Sequence, residues 1–224
     1  MPTLALDTSA GTAVAVVDDD GVVLATDGES TTRRHAERLA PLVEAVLGRA
    51  GLRPADLTAV VVGTGPAPFT GLRAGLVTAR VLGFALGVPV LGVPSLAAVA
   101  LRAFDLLDLA DAPPAEVVVV TDARRHEVYW ARYARDAAVG VRVLAGPDVG
   151  AAGILDVVGA AVVGRAAEQV TGLPVAPGLA DPDPAALVAL ALARRAHGLA
   201  TPVEPLYLRR PDAAPPGGAK RVLA

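Results

Sequence analysis

The stretch ALDTSAGTAVAVVDDDG, residues 5–21, contains two short apolar runs, each followed by a polar turn. Asp7, Thr8 and Ser9 stand at the end of the first run, and three aspartates before Gly21 follow the second. Apolar runs of this length, separated by such turns, are typical of antiparallel strands joined as hairpins. We therefore predict three consecutive strands near residues 3–7, 12–18 and 21–28.

Helical and strand patterns alternate after this hairpin. The first helix is indicated by five apolar residues at helical spacing, Leu39, Leu42, Val43, Val46 and Leu47. This helix is predicted near residues 34–50. A strand in LTAVVVGTG, a second helix near residues 71–87, a strand in VPVLGV and a third helix capped by Ser95 follow. The order β-β-β-α-β-α-β-α predicts an α/β lobe with a mixed sheet.

The second half begins with another predicted hairpin, formed by EVVVVTDAR and HEVYWARYAR. A short strand and helix in GAAVVGRAAEQV follow, and then a helix near residues 184–197. The tail is rich in proline and glycine and has no periodicity, so we expect it to be flexible. The predicted division is a first lobe of residues 1–107, a smaller lobe of residues 108–210 and a tail of residues 211–224.

The composition restricts the classes of function. A formal net charge of −3 gives no basic footprint for nucleic acid, and three Phe, one Trp and three Tyr are few for a base-stacking platform. Because the chain has no cysteine, disulfides, thiolate zinc sites and a cysteine nucleophile are excluded. The N-terminus lacks a signal-peptide pattern, and the apolar stretches are interrupted before about eighteen residues. We expect a soluble cytoplasmic protein with no membrane partner.

Histidine and serine patterns indicate no catalytic centre. His35, His126 and His197 lie far apart, and Leu39 occupies the position where an H-x-x-x-H metal pair needs its second histidine. The sequence also lacks a G-x-S-x-G nucleophile turn. We therefore predict no metal site and no catalytic residues, which argues against a peptidase.

The glycine-rich segment GTGPAPFTGLRAG, residues 63–75, resembles a phosphate-binding loop only superficially. Leu72 and Arg73 stand where a P-loop needs lysine and a hydroxyl residue, and Pro68 replaces the third glycine of a dinucleotide loop. We interpret the segment as a strand-to-helix turn whose glycines allow close approach, with Thr70 capping a helix that starts near Gly71.

The polar turn at Asp7, Thr8 and Ser9 leaves two interpretations open. The hairpin is similar to the one that opens the lobe of actin-like ATPases and sugar kinases, where such a turn faces phosphates and the aspartate positions magnesium or water. Alternatively, Asp7 and Ser9 only close the turn.

Six segments in order along the chain carry a more specific resemblance. They are LALDTS, RHAERLAPLVEAVLGRAGL, VVVGTGPAPFTGLRAGL, GVPVLGVPSLAAVA, VTDARRHEVYWARY and PLYLR, which extend from residue 4 to residue 209. With these segments the chain resembles the bacterial TsaB family. One departure lies in the glycine-rich segment, where Ala67 and Pro68 replace the Gly and Ser usual in the family; proline also removes a donor N–H.

The resemblance implies an actin-like, ribonuclease H-like fold with two lobes and mixed sheets. It further implies a non-catalytic, activating subunit for the synthesis of N6-threonylcarbamoyladenosine at position 37 of tRNA. The implied catalytic partner is TsaD, and the small ATPase TsaE acts on the pair. We expect no cofactor and no tight tRNA binding by this chain alone; weak ATP or ADP binding at Asp7, Thr8 and Ser9 is the alternative.

A competing hypothesis is an independent ATP-dependent small-molecule kinase or ATPase built on the same lobe. A second phosphate turn is expected near VTDARRHEV. There Asp122 is followed by Ala and Arg, where glycine allows a phosphate to approach closely. This argues against the competing hypothesis.

The partner surface is predicted on the first two helices, because the second is apolar on nearly every side and one side requires a partner. Since TsaD resembles this chain, we also expect a homodimer when TsaD is absent. The predicted interface residues are His35, Leu39, Leu42, Val43, Val46, Leu72, Arg73, Leu76 and Arg80.

Overall fold

The computed structural model describes residues 1–30, 35–108 and 113–209, without the side chains of residues 35 and 36. Its first sheet has the strand order β3-β2-β1-β4-β5. The strands are β1 Thr3–Asp7, β2 Thr12–Val17, β3 Val23–Glu29, β4 Ala59–Gly63 and β5 Val90–Val93. β1 pairs antiparallel with β2 and parallel with β4. The three predicted opening strands and the mixed sheet are confirmed.

Three helices follow the last three strands of this sheet along the chain, as predicted. They are α1 His35–Arg49, α2 Phe69–Leu86 and α3 Ser95–Leu107. Two predicted caps are wrong. α2 begins two residues earlier than expected, so Pro68 is its N-cap and Thr70 lies inside the first turn. α3 has Pro94 as its N-cap, and the hydroxyl of Ser95 bonds elsewhere.

The second sheet has the order β8-β7-β6-β9. Its strands are β6 Glu116–Arg124, β7 Glu127–Asp136, β8 Gly140–Ala151 and β9 Ala161–Val163, followed by the helices α4 Ala167–Thr171 and α5 Pro184–Ala196. The sheet repeats the pairing of the first four strands, because β6 and β7 are antiparallel whereas β6 and β9 are parallel. The predicted hairpin, short strand and two helices are confirmed, but the long strand β8 was not predicted.

Alternating side chains divide the molecule into layers. In β1, Leu4 and Leu6 pack with α1 and α2, whereas Ala5 packs with α3 and α5. In β6, Val117 joins the same α3 and α5 core, and Val118 faces the smaller core beside α4. The order of layers is therefore α1/α2, first sheet, α3/α5, second sheet and α4. This arrangement leaves α1 and α2 as the outermost layer on one side.

The segment after α5 returns to the first sheet, and we call residues 199–209 the C-terminal strap. The N–H of Gly92 donates to the carbonyl of Thr201 at 3.0 Å, and the N–H of Leu206 donates to Thr64 at 2.9 Å. Arg80 on α2 donates to the carbonyl of Val203 at 2.8 Å. The strap therefore ties the edge of the first sheet to α2.

The predicted division at residues 107 and 108 remains a prediction. α5 belongs to the predicted second lobe by sequence, yet it contacts β1, β2, β4 and β5 of the first sheet as well as α3. The two sheets thus share one core through α3 and α5. The predicted flexible tail, residues 211–224, lies outside the described residues.

α2 satisfies the length and hydropathy criteria for a membrane-spanning helix, with 18 residues and a mean hydropathy of 1.3. The glycines and arginines of α2 were expected to interrupt its apolar stretch before about eighteen residues, so this finding differs from the expectation. A single helix of this kind is weak evidence for a membrane span, since core helices of globular proteins meet the same criteria. The inner face of α2 packs on β4 and α1.

Candidate functional site

Asp7 connects three elements inside the first lobe. Its side chain is buried at the end of β1, where the residue is 2% exposed. Oδ1 accepts hydrogen bonds from the Ser9 N–H at 2.7 Å and the Ser9 hydroxyl at 2.6 Å. Oδ2 accepts from the Ser95 hydroxyl at 2.5 Å, whose oxygen accepts from the Gly65 N–H at 3.1 Å. Asp7 therefore joins β1, the glycine-rich turn and α3.

Burial raises the pKa of the Asp7 carboxyl above its ordinary value, although the hydrogen bonds from Ser9 and Ser95 act in the opposite direction. Desolvation disfavours the charged form of a carboxyl group. A carboxyl held in this way serves as a structural acceptor, with two protein donors on Oδ1 and one on Oδ2.

The glycines of residues 63–75 make room for the polar turn. A Cβ atom on Gly63 would lie 1.7 Å from Oδ2 of Asp7. Thr8 is buried, and its hydroxyl donates to the carbonyl of Gly71 at 2.8 Å; a Cβ on Gly75 would lie 2.4 Å from that hydroxyl oxygen. The predicted close approach of the second helix is therefore confirmed, and its contact is with Thr8.

The three candidate nucleotide-binding residues have different surroundings in the structure. Asp7 and Thr8 have their polar atoms bonded within the lobe, whereas Ser9 lines a cavity of about 210 Å³ together with Asp122, Arg124 and Arg165. Of the two open interpretations, the geometry favours closure of the turn by Asp7 and Ser9. Whether nucleotide binds near Ser9 stays a prediction.

Asp7 also borders a second cavity of about 190 Å³. Glu29 and Asp181 line the same cavity; Glu29 pairs with Arg38, and Asp181 pairs with Arg165. Arg165 lines this cavity as well, so Glu29 and Asp181 are each paired with an arginine and the lining has no clear excess of negative charge. In residues 1–30, 35–108 and 113–209, no three His, Asp or Glu side chains are arranged to hold a metal ion.

Most of the predicted interface residues are not on the surface. Six of them lie in the core between the first sheet and the outer helices, namely Leu39, Leu42, Val43, Val46, Leu72 and Leu76. They face the first sheet and pack with its strands in one core. Burial leaves little of these six side chains accessible to a partner, and their assignment to the interface stays a prediction. His35 begins α1, and its side chain lies outside the described part of the chain.

Three exposed apolar residues lie on the opposite side of the second helix. Val77, Val81 and Phe84 are 59%, 58% and 92% exposed, and we call these three residues the α2 outer face. These residues were not among the predicted interface residues, although their spacing of four and three residues places them on one side of a helix. That side is opposite the buried stripe of Leu72, Leu76 and other core positions.

The two arginines predicted for the interface are exposed on α2, beside the α2 outer face. Arg73 donates to the hydroxyl of Tyr207 at 2.9 Å and lies 5.0 Å from the centre of the Phe69 ring. Phe69 and Tyr207 stack with ring centres 4.4 Å apart. Arg80 donates to the strap carbonyl of Val203. These contacts fix the strap along α2 and leave the α2 outer face uncovered by the described residues.

Comparison with known proteins shows several matches. The sequence profile of the family described as "TsaD: tRNA N6-adenosine threonylcarbamoyltransferase" matches residues 23–153. An uncharacterized protein of Mycobacterium tuberculosis is 47% identical over 217 residues, which cover 95% of this chain and 93% of that protein. The tRNA threonylcarbamoyladenosine biosynthesis protein TsaB of Escherichia coli is 35% identical over 136 residues, 61% of this chain and 56% of that protein.

The fold of a solved structure matches this chain over nearly its whole length. YeaZ from Pseudomonas aeruginosa is 30% identical with a TM-score of 0.75, covering 92% of this chain and 99% of that one. Another chain from the same organism, described as similar to the peptidase YeaZ, is 31% identical with a TM-score of 0.76. The predicted actin-like, ribonuclease H-like fold is confirmed. These matches show that the chain belongs to the TsaB family, in which YeaZ is a structural representative.

Proposed function

We propose that this chain is a non-catalytic subunit that binds and activates TsaD in the synthesis of N6-threonylcarbamoyladenosine at position 37 of tRNA. Relatives at 34–35% identity are named tRNA threonylcarbamoyladenosine biosynthesis protein TsaB, which supports the process. The observation that carries the partner role is the α2 outer face, an uncovered row of apolar side chains on an outermost helix.

A partner that covers the α2 outer face removes its apolar side chains from water. Full burial of one Val or Phe side chain contributes about 1.5–3 kcal/mol, so a protein that covers Val77, Val81 and Phe84 gains several such contributions. An apolar centre with charged residues at its rim is the usual composition of an interface. Arg73 and Arg80 stand at this rim, and each is held by the strap rather than by an acidic neighbour on α2.

Similarity to TsaD supports the choice of partner. A profile named for TsaD covers residues 23–153, which include both outer helices. A tRNA N6-adenosine threonylcarbamoyltransferase of Erythrobacter litoralis is 43% identical over 65 residues, 29% of this chain. Two related chains can pair through equivalent faces about an approximate two-fold axis, as identical chains do about an exact one. We therefore propose TsaD as the cognate partner and a homodimer when TsaD is absent.

The non-catalytic role is supported by the position of Asp7. An aspartate that positions magnesium or water must present an oxygen to the ligand, whereas both Asp7 oxygens accept bonds from Ser9 and Ser95. The alternative of an independent kinase or ATPase has less support for this reason. In the proposed cytoplasmic complex, TsaE acts on the pair and tRNA is bound through the pair.

Sedimentation of purified components tests this proposal. We expect the chain alone to sediment as a homodimer. An equimolar mixture with TsaD is expected to sediment as a distinct heterodimer. TsaE is then expected to join the mixture but not the isolated chain. A strictly monomeric chain that also fails to bind TsaD would contradict the proposal.

A further inference from the structure

The outer surface formed by α1 and α2 is positively charged on the side next to the strap. Arg73 donates to the Tyr207 hydroxyl, and Arg80 donates to the carbonyl of Val203. Both acceptors are uncharged, and among the described residues no carboxylate pairs with either arginine. The two positive charges beside the α2 outer face are therefore not balanced within the described chain.

Glu44 places a negative charge on the other side of this surface. It is exposed on α1 and forms no ion pair with a described residue. Arg49 marks the side of α1 next to β3, because it pairs with Asp27. Since a helix turns by about 100° per residue, Glu44 lies about 140° around α1 from Arg49. It therefore points outward and away from β3, toward α2, on which α1 packs.

The charges of Glu44 and Arg80 lie at similar heights on parallel helices. β3, β4 and β5 all run parallel to β1. Because α1 joins β3 to β4 and α2 joins β4 to β5, both helices begin at the same edge of the first sheet. Glu44 is the tenth of the fifteen residues of α1 and Arg80 the twelfth of the eighteen of α2, which is two thirds of the way along each helix.

A two-fold axis through the α2 outer face brings these two charges together. The half-turn about such an axis exchanges points at the same height on its two sides. Glu44 of one protomer then faces Arg80 of its partner, and the reverse pair forms on the other side of the axis. A second copy of the chain thus supplies an apolar centre and opposite charges at the rim, as stable interfaces do.

The surroundings of Glu44 also leave space for a large side chain of a second copy. Phe84 of the α2 outer face is 92% exposed. The exposed neighbours of Glu44 on α1 include Ala40, Ala45 and Gly48, which have a methyl group or no side chain. A Cβ atom added to Gly48 would meet no atom within 4 Å. The surface of α1 is therefore low where the ring of a partner's Phe84 approaches it.

We propose that Glu44 of one protomer pairs with Arg80 of the other, twice about a two-fold axis, and that these pairs determine the register and specificity of the homodimer. The partner that covers the α2 outer face of the isolated protein is thus a second copy of this chain. The proposal rests on the proposed function, which includes a homodimer, and it adds the residues that select the partner.

The test uses two charge-reversal variants and their mixture. Glu44→Arg places two arginines opposite each other at both rims of the dimer, and Arg80→Glu places two glutamates there. Because like charges at an interface are unfavourable, each variant alone is expected to self-associate with a dissociation constant raised about tenfold or more. In an equimolar mixture every facing pair again has opposite charges. The two variants are therefore expected to form a mixed dimer about as stable as that of the wild type.

Sedimentation equilibrium measures these dissociation constants, and circular dichroism compares the melting temperatures. Arg80→Glu also loses the hydrogen bond to the strap, so restored association in the mixture separates charge pairing from a strap defect. Arg53→Glu is the matched control, because Arg53 is exposed and pairs with Asp56 outside α1 and α2. This control is expected to self-associate like the wild type and not to restore association of Glu44→Arg.

Weak self-association of each reversal variant, with restored association in their mixture, supports the proposal. Wild-type self-association of either variant, or a mixture of folded variants as weak as each alone, overturns it. If Arg80→Glu does not fold, stepwise weakening from wild type through Glu44→Gln to Glu44→Arg supports the proposal, and undiminished association of both overturns it.

Two failures remain distinguishable. A wild-type chain that stays monomeric also overturns the charge pairing, and its binding to TsaD, measured separately, then decides the proposed function. Binding of TsaD by a wild type whose reversal variants still form dimers leaves the proposed function standing and removes only the role of Glu44 and Arg80.

Discussion

At the scale of single residues, Asp7 acts as a buried connector. Its oxygens accept from Ser9 on the same turn and from Ser95 at the start of α3. A buried carboxyl with several donors is stabilised by hydrogen bonds and destabilised by the loss of hydration. Here desolvation is the larger effect on the pKa, because the pKa is raised.

The raised pKa predicts the sign of a pH effect. Asp7 keeps its proton to higher pH in the folded protein than in the unfolded chain, where the ordinary value is 3.8. The stability of the wild type relative to Asp7→Asn is therefore greatest below that value and declines as pH rises through the folded-state pKa. Urea unfolding of both proteins between about pH 4 and 7 measures this difference. A relative stability that increases with pH would contradict the assignment.

A second prediction concerns the contact between Gly75 and Thr8. Gly75→Ala places a methyl group 2.4 Å from the Thr8 hydroxyl oxygen, so the free energy of unfolding is expected to fall by about 1–3 kcal/mol. Thr8→Ala removes the opposing group, and the double variant is expected to regain part of the loss. Gly48→Ala on α1 is the matched control, because no atom lies within 4 Å of its added Cβ. Additive effects of the two substitutions would argue against direct contact.

The sequence predicted that polar residues close the first strand, but not which way they face. That direction depends on Ser95, which is 88 residues away from Asp7 in the chain. It also depends on glycines at 63 and 75 that leave space for Asp7 and Thr8. Local sequence patterns show which polar residues are present. The hydrogen-bond and packing partners of these residues lie on strands and helices that are distant in the chain.

At the scale of elements, α2 has two different apolar faces. Leu72, Leu76 and Ala79 fill the core below the helix, and Val77, Val81 and Phe84 extend away from it. The sequence predicted a helix that is apolar on nearly every side; one side packs on the sheet, and the covering of the other side by a partner stays a prediction. The sequence did not reveal which face packs on the sheet, because both have helical periodicity.

Glutamate substitutions on the two faces should have different effects. Val77 is exposed, so Val77→Glu is expected to change the free energy of unfolding by less than about 0.5 kcal/mol. The same substitution is expected to abolish binding to TsaD and self-association. Leu76 is 4% exposed in the wild type. The substitution Leu76→Glu is therefore expected to unfold the protein, because it buries a charge without a partner. Circular dichroism and sedimentation separate these results. A folded Val77→Glu variant that still binds TsaD normally would show that the α2 outer face is not the interface.

The strand β8 shows why one element was missed. Its sequence GVRVLAGPDVGA contains Gly146 and Pro147 in the interior, and both residues disfavour a strand. The strand forms because β7 pairs with it along almost its whole length, with register shifts near Arg132 that accommodate the irregularity. Pairing with a neighbouring strand thus overrides the local preference.

At the scale of the whole molecule, the two sheets pack on a shared layer of helices. α3 and α5 lie between the two sheets and belong to one continuous core. The strap then runs from α5 past β5 and α2 to the β6–β7 turn, where Arg209 bonds to Ala123. Periodicity identified the individual helices but not their shared packing, which depends on the arrangement of both sheets. The α2 outer face lies on the surface of the part of the chain that the structure describes.

The central claim, that this chain activates TsaD without catalysing the reaction, is tested most directly by reconstituted modification of tRNA. TsaD and TsaE are supplied with threonylcarbamoyl adenylate, ATP and unmodified tRNA, and N6-threonylcarbamoyladenosine is measured with and without the chain. We expect product only when the wild-type chain and TsaD are both present, no product from the chain alone, and loss of product with Val77→Glu. Product formed by the chain without TsaD, or formed equally by TsaD without the chain, would contradict the account.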